Sequence, residues 1–190
     1  MIYTANDIGE FSVLGICYNN PLHFEQIVSA AKNLMPEQWS PTAEVVDASI
    51  DRCVDVGYLS LKENNQSFSK FVQITEFGKK RLRSLVLKDP GEEISSRLPA
   101  WEFLQFCFLD FIDCNAARTV LFRARSRLQQ RLSNFRQRSE KCPHTGRFTN
   151  LWLTIETDRL ENSLKSLNLI CQEIDDELQL TKYGSNHLYD

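Results

Sequence analysis

The feature that most constrains the fold is a change in apolar spacing along the first 87 residues. Apolar side chains recur every three or four residues in three successive stretches, as they do in amphipathic helices. Residues 58–61 and 68–74 instead alternate apolar and polar side chains, which is typical of strands. A fourth helical stretch covers residues 76–87. The pattern therefore predicts three helices, a hairpin and another helix, in that order.

Residues that favour helix ends and turns lie at the boundaries of these stretches. Thr42 and Thr75 are suited to cap the third and fourth helices, and Gly57 supplies the left-handed residue that ends the third. Residues 63–67 are polar and form the predicted hairpin tip. This order describes a winged helix-turn-helix. The predicted fold class is mainly α, with this N-terminal unit followed by an all-helical C-terminal dimerisation domain.

The run Asp89-Pro90-Gly91 breaks the chain and predicts a domain boundary. We assign residues 1–89 to the winged helix-turn-helix, 90–180 to the helical dimerisation domain and 181–190 to a flexible tail. From Leu160 the apolar steps run four, three, four, three, four, which is a coiled-coil-like seam. The predicted homodimer seam consists of Leu121, Leu128, Leu132, Phe135, Leu160, Leu164, Leu167 and Ile174.

Charge is segregated within the second half of the chain. Residues 114–147 hold eight arginines, one lysine and one glutamate, whereas residues 148–190 hold three basic and eight acidic groups. A basic and an acidic helix joined by a Pro-Gly break are expected to pair antiparallel, within one chain or between two. A nucleic-acid surface on the arginine-rich helix, 118–138, is the open alternative.

Composition excludes several classes of protein. The formal net charge is −3, so no global basic field draws the chain to nucleic acid or membrane, and no apolar run reaches the ~20 residues of a membrane span. The six cysteines lie apart and lack metal-ligand spacing, so we expect buried, reduced thiols and no metal. No glycine-rich phosphate loop or nucleophile–base pair is visible. We therefore expect a cytoplasmic protein that is not an enzyme and binds no cofactor.

The third helix carries the wrong charge for a groove-binding helix. It contains Glu44, Asp47, Asp51 and Asp55, and its one basic residue is Arg52. A carboxylate facing a phosphate opposes the neutralisation that supplies much of the affinity for DNA. The aspartates recur every four residues, and a solvated face is a better interpretation of that spacing than a cation site.

Candidate DNA contacts lie at the start of the third helix, along it, and on the wing. Hydroxyls and free N–H groups at a helix start can bind phosphate, and amides at a wing tip can contact a groove. The candidates are Ser40, Thr42, Ser49, Arg52, Lys62, Asn64, Asn65, Gln66 and Lys70. Basic residues of the fourth helix are further candidates for the DNA backbone: Lys79, Lys80, Arg81 and Arg83.

Several short motifs carry a family likeness. They are Val13-Leu14-Gly15-Ile16, Pro21-Leu22-His23, Trp39-Ser40, the frame of Ile50, Cys53 and Gly57, and Ile74-Thr75-Glu76-Phe77-Gly78. With these motifs the layout resembles the PadR-like family of transcriptional regulators, especially longer members with a helical C-terminal dimerisation domain. The resemblance implies a homodimer that binds duplex DNA through its winged helices.

The chain departs from the family pattern at two places. Phe24-Glu25 follows the Pro-x-His turn where the family usually has Gly-Tyr, and Asp47 stands near the place of a tyrosine that helps hold DNA. Two hypotheses therefore stay open. The protein is a dimeric DNA-binding regulator, or it has lost ordinary DNA binding and the acidic face of its third helix binds a partner protein.

A cluster of aromatic residues follows the predicted domain boundary. Trp101, Phe103, Phe106 and Phe108 lie close together in the sequence and suit either a helical core or a cavity for an aromatic effector. A core is the more common use of such a cluster. The effector, if the protein has one, stays unknown.

Overall fold

A computed structural model gives the structure of this chain and describes residues 5–63, 70–89, 98–141 and 146–184. The chain divides into two compact units, Met1–Ile112 and Asp113–Asp190. The elements of the first unit are α1 (Ala5–Ile16), β1 (Leu22–His23), α2 (Phe24–Leu34), α3 (Ala43–Asp55), β2 (Leu59–Glu63), β3 (Lys70–Ile74), α4 (Glu76–Leu87) and α5 (Leu98–Cys107).

The order of α1 to α4 and the wing hairpin confirms the predicted winged helix-turn-helix. The sheet has the strand order β1-β3-β2, and both pairs are antiparallel. β2 and β3 pair with Leu59 opposite Ile74, which places the buried side chains of both strands on one face. The sequence pattern did not predict β1, which pairs Leu22 with Val72 and joins the turn before α2 to the wing.

The predicted end signals form hydrogen bonds and turns. Thr75 is the N-cap of α4, and its side-chain oxygen accepts a hydrogen bond from the Gly78 N–H at 3.0 Å. Gly57 ends the turn after α3 with φ at +82°, a conformation that glycine adopts without strain. Thr42 is the N-cap of α3 by backbone conformation, although its side chain forms no capping bond.

The core of the first unit extends beyond the predicted boundary at residue 89. Trp101 on α5 is fully buried, and its ring lies 4.9 Å from that of Phe11 on α1. The side-chain amide of Gln105 donates to the carbonyl oxygens of Val86 and Lys88, at 2.7 and 2.8 Å, at the end of α4. These contacts join α5 to the winged helix, so the structure divides after Ile112. The aromatic cluster supplies core side chains, Trp101 and Phe108 among them.

Gly78 allows α4 to pack closely against the start of the wing. A Cβ at this position would lie 2.1 Å from the carbonyl oxygen of Tyr58, a backbone atom that also accepts a hydrogen bond from the Thr75 N–H. We expect Gly78→Ala to lower the free energy of unfolding by about 1–3 kcal/mol, because backbone must move. Urea denaturation measures the loss. Gly146→Ala is the control, since its Cβ would meet no described atom within 4 Å; equal losses in both variants would contradict the packing argument.

Two of the cysteines are core residues, as expected from the sequence. Burial raises the pKa of both Cys17 and Cys53 to about 12. Alkylation requires the thiolate, which is scarce far below the pKa. We expect native protein at pH 8 to leave both unmodified by iodoacetamide, while the half-buried Cys114 reacts and denatured protein reacts at all three. Peptide mass spectrometry measures this, and early labelling of Cys17 or Cys53 would contradict their burial.

The second unit consists of two long helices in its described residues, α6 (Cys114–Glu140) and α7 (Arg147–Gly184). Arg118 pairs with Asp175 at 3.0 Å, and Arg136 pairs with Glu161, so the helices run antiparallel within one chain. This is the pairing that the segregated charges predicted. None of the described helices is long and apolar enough to cross a membrane. α7 includes residues 181–184, which were predicted to belong to the tail, and residues 185–190 lie outside the described part.

The residues of the predicted dimer seam lie on α6 and α7. Leu121, Leu132, Leu160 and Leu167 are at most 7% exposed within a single chain, and the other four predicted residues are partly buried. The same heptad pattern therefore serves packing within one chain in this structure.

Candidate nucleic-acid interface

α3 has two faces of opposite character. Val46, Ile50 and Cys53 are buried in the core of the first unit, on the side that contacts α1. The opposite face is exposed, and it carries Glu44, Asp47, Asp51 and Asp55. Within the described residues, the three aspartates form no ion pair. The exposed surface of this helix is therefore an acidic face, which we define as the side chains of these four residues.

Ser49 lies on the buried face and not on the surface predicted to meet DNA. It is fully buried, its hydroxyl donates to the Val45 carbonyl oxygen at 2.7 Å, and a Cβ on Gly9 would lie 2.3 Å from its oxygen. Ser49 thus occupies the close approach of α3 to α1 and cannot reach a base edge. Its position three residues after Val46, on the apolar stripe, was the sequence signal for this placement.

Arg52 is held along its own helix. Its Nε donates to the Ala48 carbonyl oxygen at 3.1 Å, and one terminal nitrogen donates to the Ser49 hydroxyl at 3.1 Å. The guanidinium has five N–H groups, so these two bonds leave others able to donate. The single cation of α3 is therefore engaged at the edge of the acidic face and does not neutralise its centre.

The start of α3 already has a carboxylate in the place where a phosphate would bind. A hydrogen bond from the Glu44 backbone N–H, another with the Thr42 side chain, and the charge of Lys32 together lower the pKa of the Glu44 carboxyl. This is the favourable position for a negative charge at a helix N-terminus. Ser40, also predicted here, is half-buried, and its hydroxyl donates to the Lys32 carbonyl oxygen at 3.5 Å.

The wing presents exposed cations. Lys62 on β2 lies opposite Phe71, and Lys70 on β3 lies opposite Glu63 in the adjacent pair. Both lysines are exposed, and the alternation of side chains along a strand places them on opposite faces of the hairpin. The tip residues Asn64, Asn65 and Gln66 lie outside the described residues.

Two of the four basic residues of α4, Lys79 and Arg81, form ion pairs and lie near aromatic rings. Arg81 Nε lies 2.6 Å from Glu10 Oε1, and its guanidinium lies over the Tyr58 ring. Lys79 forms an ion pair with Glu76 at 2.8 Å and lies 5.8 Å from the Tyr18 ring centroid. Lys80 and Arg83 are exposed. The two ion-paired cations are therefore neutralised locally and do not surround the acidic face.

The charges of the first unit determine which of its surfaces attract DNA phosphates and which repel them. The acidic face repels phosphate, whereas Lys62 and Lys70 attract it at the wing. An acidic helix face can accept hydrogen bonds from base amino groups but supplies little affinity by itself. Among the described residues, no group of three or more His, Cys, Asp or Glu side chains is placed to hold a metal ion.

Comparison with solved structures finds similar chains that cover most of this one. PadR of Bacillus subtilis in complex with operator DNA is 19% identical, with a TM-score of 0.41, over 87% of this chain and 98% of that one. The same protein with p-coumaric acid is 17% identical, with a TM-score of 0.43, over 91% and 98%. The PadR-like regulator BC1756 of Bacillus cereus is 13% identical, with a TM-score of 0.39, over 89% and 99%.

This chain is similar to PadR-like transcriptional regulators. No protein-family model matches the sequence, and no curated protein matches it. The winged-helix assignment rests on the chain's own element order, strand register and buried side chains.

Proposed function

We propose that the protein is a dimeric PadR-like transcriptional regulator that binds duplex DNA through its winged helix. The observation that carries the proposal is the placement of α3. One face of the helix is fixed in the core by Val46, Ile50 and Cys53, and the whole opposite face is exposed directly before a wing that carries two exposed lysines. A helix supported in this way and free on one side is suited to lie in a major groove.

The charged side chains of the wing and of α3 determine how the protein binds DNA. Lys62 and Lys70 supply phosphate contacts, and the carboxylates of α3 oppose them by repelling phosphate. Few phosphates are neutralised in this arrangement. Two lysines in each of two subunits correspond to a slope of about −4 in log K against log salt concentration, which is shallow for a regulator.

The dimer belongs to this proposal because two winged helices together bind half-sites about one turn of DNA apart. We place this contact on the two-helix unit, α6 and α7, where the sequence predicts the dimerisation domain. PadR of Bacillus subtilis has been crystallised with operator DNA and with p-coumaric acid.

A second candidate function follows from the acidic face itself. Three adjacent aspartates without ion pairs among the described residues suit a basic protein surface better than a phosphate backbone. In this alternative the winged helix binds a partner protein and does not bind operator DNA.

Selection of genomic fragments by the purified protein tests the proposal against this alternative. The fragments are incubated with the protein at about 50 and 150 mM salt, and the bound ones are sequenced. The proposal predicts a shared motif at both salt concentrations, with weaker recovery at the higher one. Absence of any bound fragment at the lower concentration would remove DNA binding and favour the protein partner. A Lys62→Ala/Lys70→Ala variant is the control, because it shows how much of the fragment recovery depends on the two wing lysines.

A further inference from the structure

One face of the three-stranded sheet is directed away from the core and carries a histidine. Val72 of β3 is 2% exposed, so its side chain points to the core. Adjacent residues of a strand point to opposite faces, which directs Phe71 outward. His23 of β1 and Lys62 of β2 lie opposite Phe71 in the strand register. We define His23, Phe71 and Lys62 as the outer row.

The His23 side chain has a defined position in the outer row. The centroid of its imidazole ring lies 4.0 Å from that of the Phe71 ring, and the two ring planes are 36° apart. The backbone N–H of His23 donates to the side-chain oxygen of Gln26 at 2.9 Å, which fixes the residue at the start of α2. His23 is half-buried and Lys62 is exposed. The imidazole is therefore held beside an aromatic ring on the outward face.

The outer row lies at the start of the helix that precedes α3. In a helix-turn-helix the second helix enters the major groove, and the helix before it crosses the DNA backbone. α2 is that preceding helix, and it begins directly after His23. β3 separates His23 from Lys62, which places the two residues about 10 Å apart because neighbouring strands are about 4.8 Å apart. The two side chains are thus able to bind different phosphates of one backbone.

The charged side chains near His23 come from α2 and β2. Glu25 on α2 is exposed and forms no ion pair with His23. Lys62 lies beyond the ~8 Å over which charges act at about 150 mM salt. The outward residues of β3, Phe71 and Gln73, are uncharged, and a positive charge beside an aromatic ring is favourable. A protonated His23 therefore keeps its charge available for an anion.

Histidine is the side chain whose charge ordinarily changes between about pH 5 and 8. We propose that the outer row is a phosphate-binding surface for duplex DNA, in which His23 contacts the backbone when it is protonated. Binding to DNA then tightens as the pH falls. The inference rests on the proposed function and adds to it a contact residue and a dependence on pH.

Fluorescence anisotropy of the full chain with a selected duplex tests the inference at about pH 8 and about pH 6. Two subunits add two phosphate contacts at the lower pH, so the slope of log K against log salt concentration is expected to become steeper by about two. The dissociation constant at about 100 mM salt is expected to fall about tenfold. His23→Gln is expected to keep the same slope at both pH values.

Two further variants separate His23 from other effects of pH. His144→Gln/His187→Gln removes the other two histidines of the sequence and is expected to keep the full response. His23→Arg carries its charge at both pH values, and we expect the steeper slope already at about pH 8, with little change at about pH 6. Circular dichroism verifies that all variants keep the helix content of the wild type.

The possible results separate this inference from the proposed function. A wild-type slope that does not change with pH, or an equal response in His23→Gln, overturns the outer row as a phosphate contact and leaves DNA binding intact. A His23→Arg variant with the shallow slope at both pH values overturns it as well. Absence of DNA binding at both pH values overturns the inference together with the proposed function.

Discussion

Replacing Asp47, Asp51 and Asp55 together with asparagine is expected to tighten binding to duplex DNA about thirtyfold. The three carboxylates lie on the exposed face of α3, with no ion pair among the described residues. A like-charge contact with phosphate at about 4–8 Å in water costs roughly 0.5–1 kcal/mol. Three such contacts amount to about 2 kcal/mol, or a factor of about thirty in the dissociation constant. Fluorescence anisotropy with a selected duplex measures the change.

The control for this experiment changes net charge equally at other places. Asp110, Glu140 and Asp176 are exposed and lie outside the wing and α3, and their amide replacements remove three negative charges. We expect this triple variant to tighten binding less than threefold at about 150 mM salt, where charges beyond ~8 Å are screened. Equal effects of the two triple variants would show that only net charge matters. Unchanged or weaker binding by the α3 variant would show that this face does not meet phosphates.

Truncating Trp101 to alanine is expected to lower the free energy of unfolding of the first unit by about 3–5 kcal/mol. The side chain is fully buried, and its ring contacts Phe11 of α1 at a centroid distance of 4.9 Å. Its loss leaves a cavity where α5 joins the winged helix. Phe77→Ala, at a position that is 56% exposed, is the control and is expected to cost less than about 1 kcal/mol. Urea denaturation followed by far-UV circular dichroism measures both.

This comparison also tests where the first unit ends. If residues 90–112 belonged to a separate domain, Trp101→Ala would leave the stability of residues 5–89 unchanged. Hydrogen exchange of α1 amides reports this directly, because α1 carries Phe11. The structure predicts faster exchange in α1 of the variant, and unchanged exchange there would contradict the packing of α5 on α1.

The sequence predicts the winged helix well because each of its signals is local. The apolar period fixes the faces of the helices, Thr75 caps α4 with its own side chain, and Gly57 adopts positive φ. The sequence did not predict β1, because two residues are too few to show alternation and the partner strand, β3, is distant in the sequence. The attachment of α5 depends on contacts of Trp101 and Gln105 with elements far away along the chain, which spacing alone does not reveal.

The sequence predicted the charge of the candidate site more fully than it predicted where the individual side chains lie. The acidic face follows from the four-residue spacing of its aspartates. The inward position of Ser49 was visible in the apolar stripe, whereas the two hydrogen bonds of Arg52 along α3 depend on its side-chain conformation. A heptad pattern predicts a seam but not its partner. The leucines of α7 therefore suited an intermolecular dimer as well as the packing within one chain that the structure shows.

Equilibrium binding of the full chain to a selected duplex, measured by fluorescence anisotropy from about 50 to 200 mM salt, tests the central claim most directly. The claim is that the winged helix binds DNA with phosphate contacts supplied by Lys62 and Lys70 in spite of its acidic face. We predict saturable binding at 50 mM salt, a log–log slope of about −4, and a slope near zero for Lys62→Ala/Lys70→Ala. Absence of binding at 50 mM salt, or an unchanged slope in that variant, would contradict the claim.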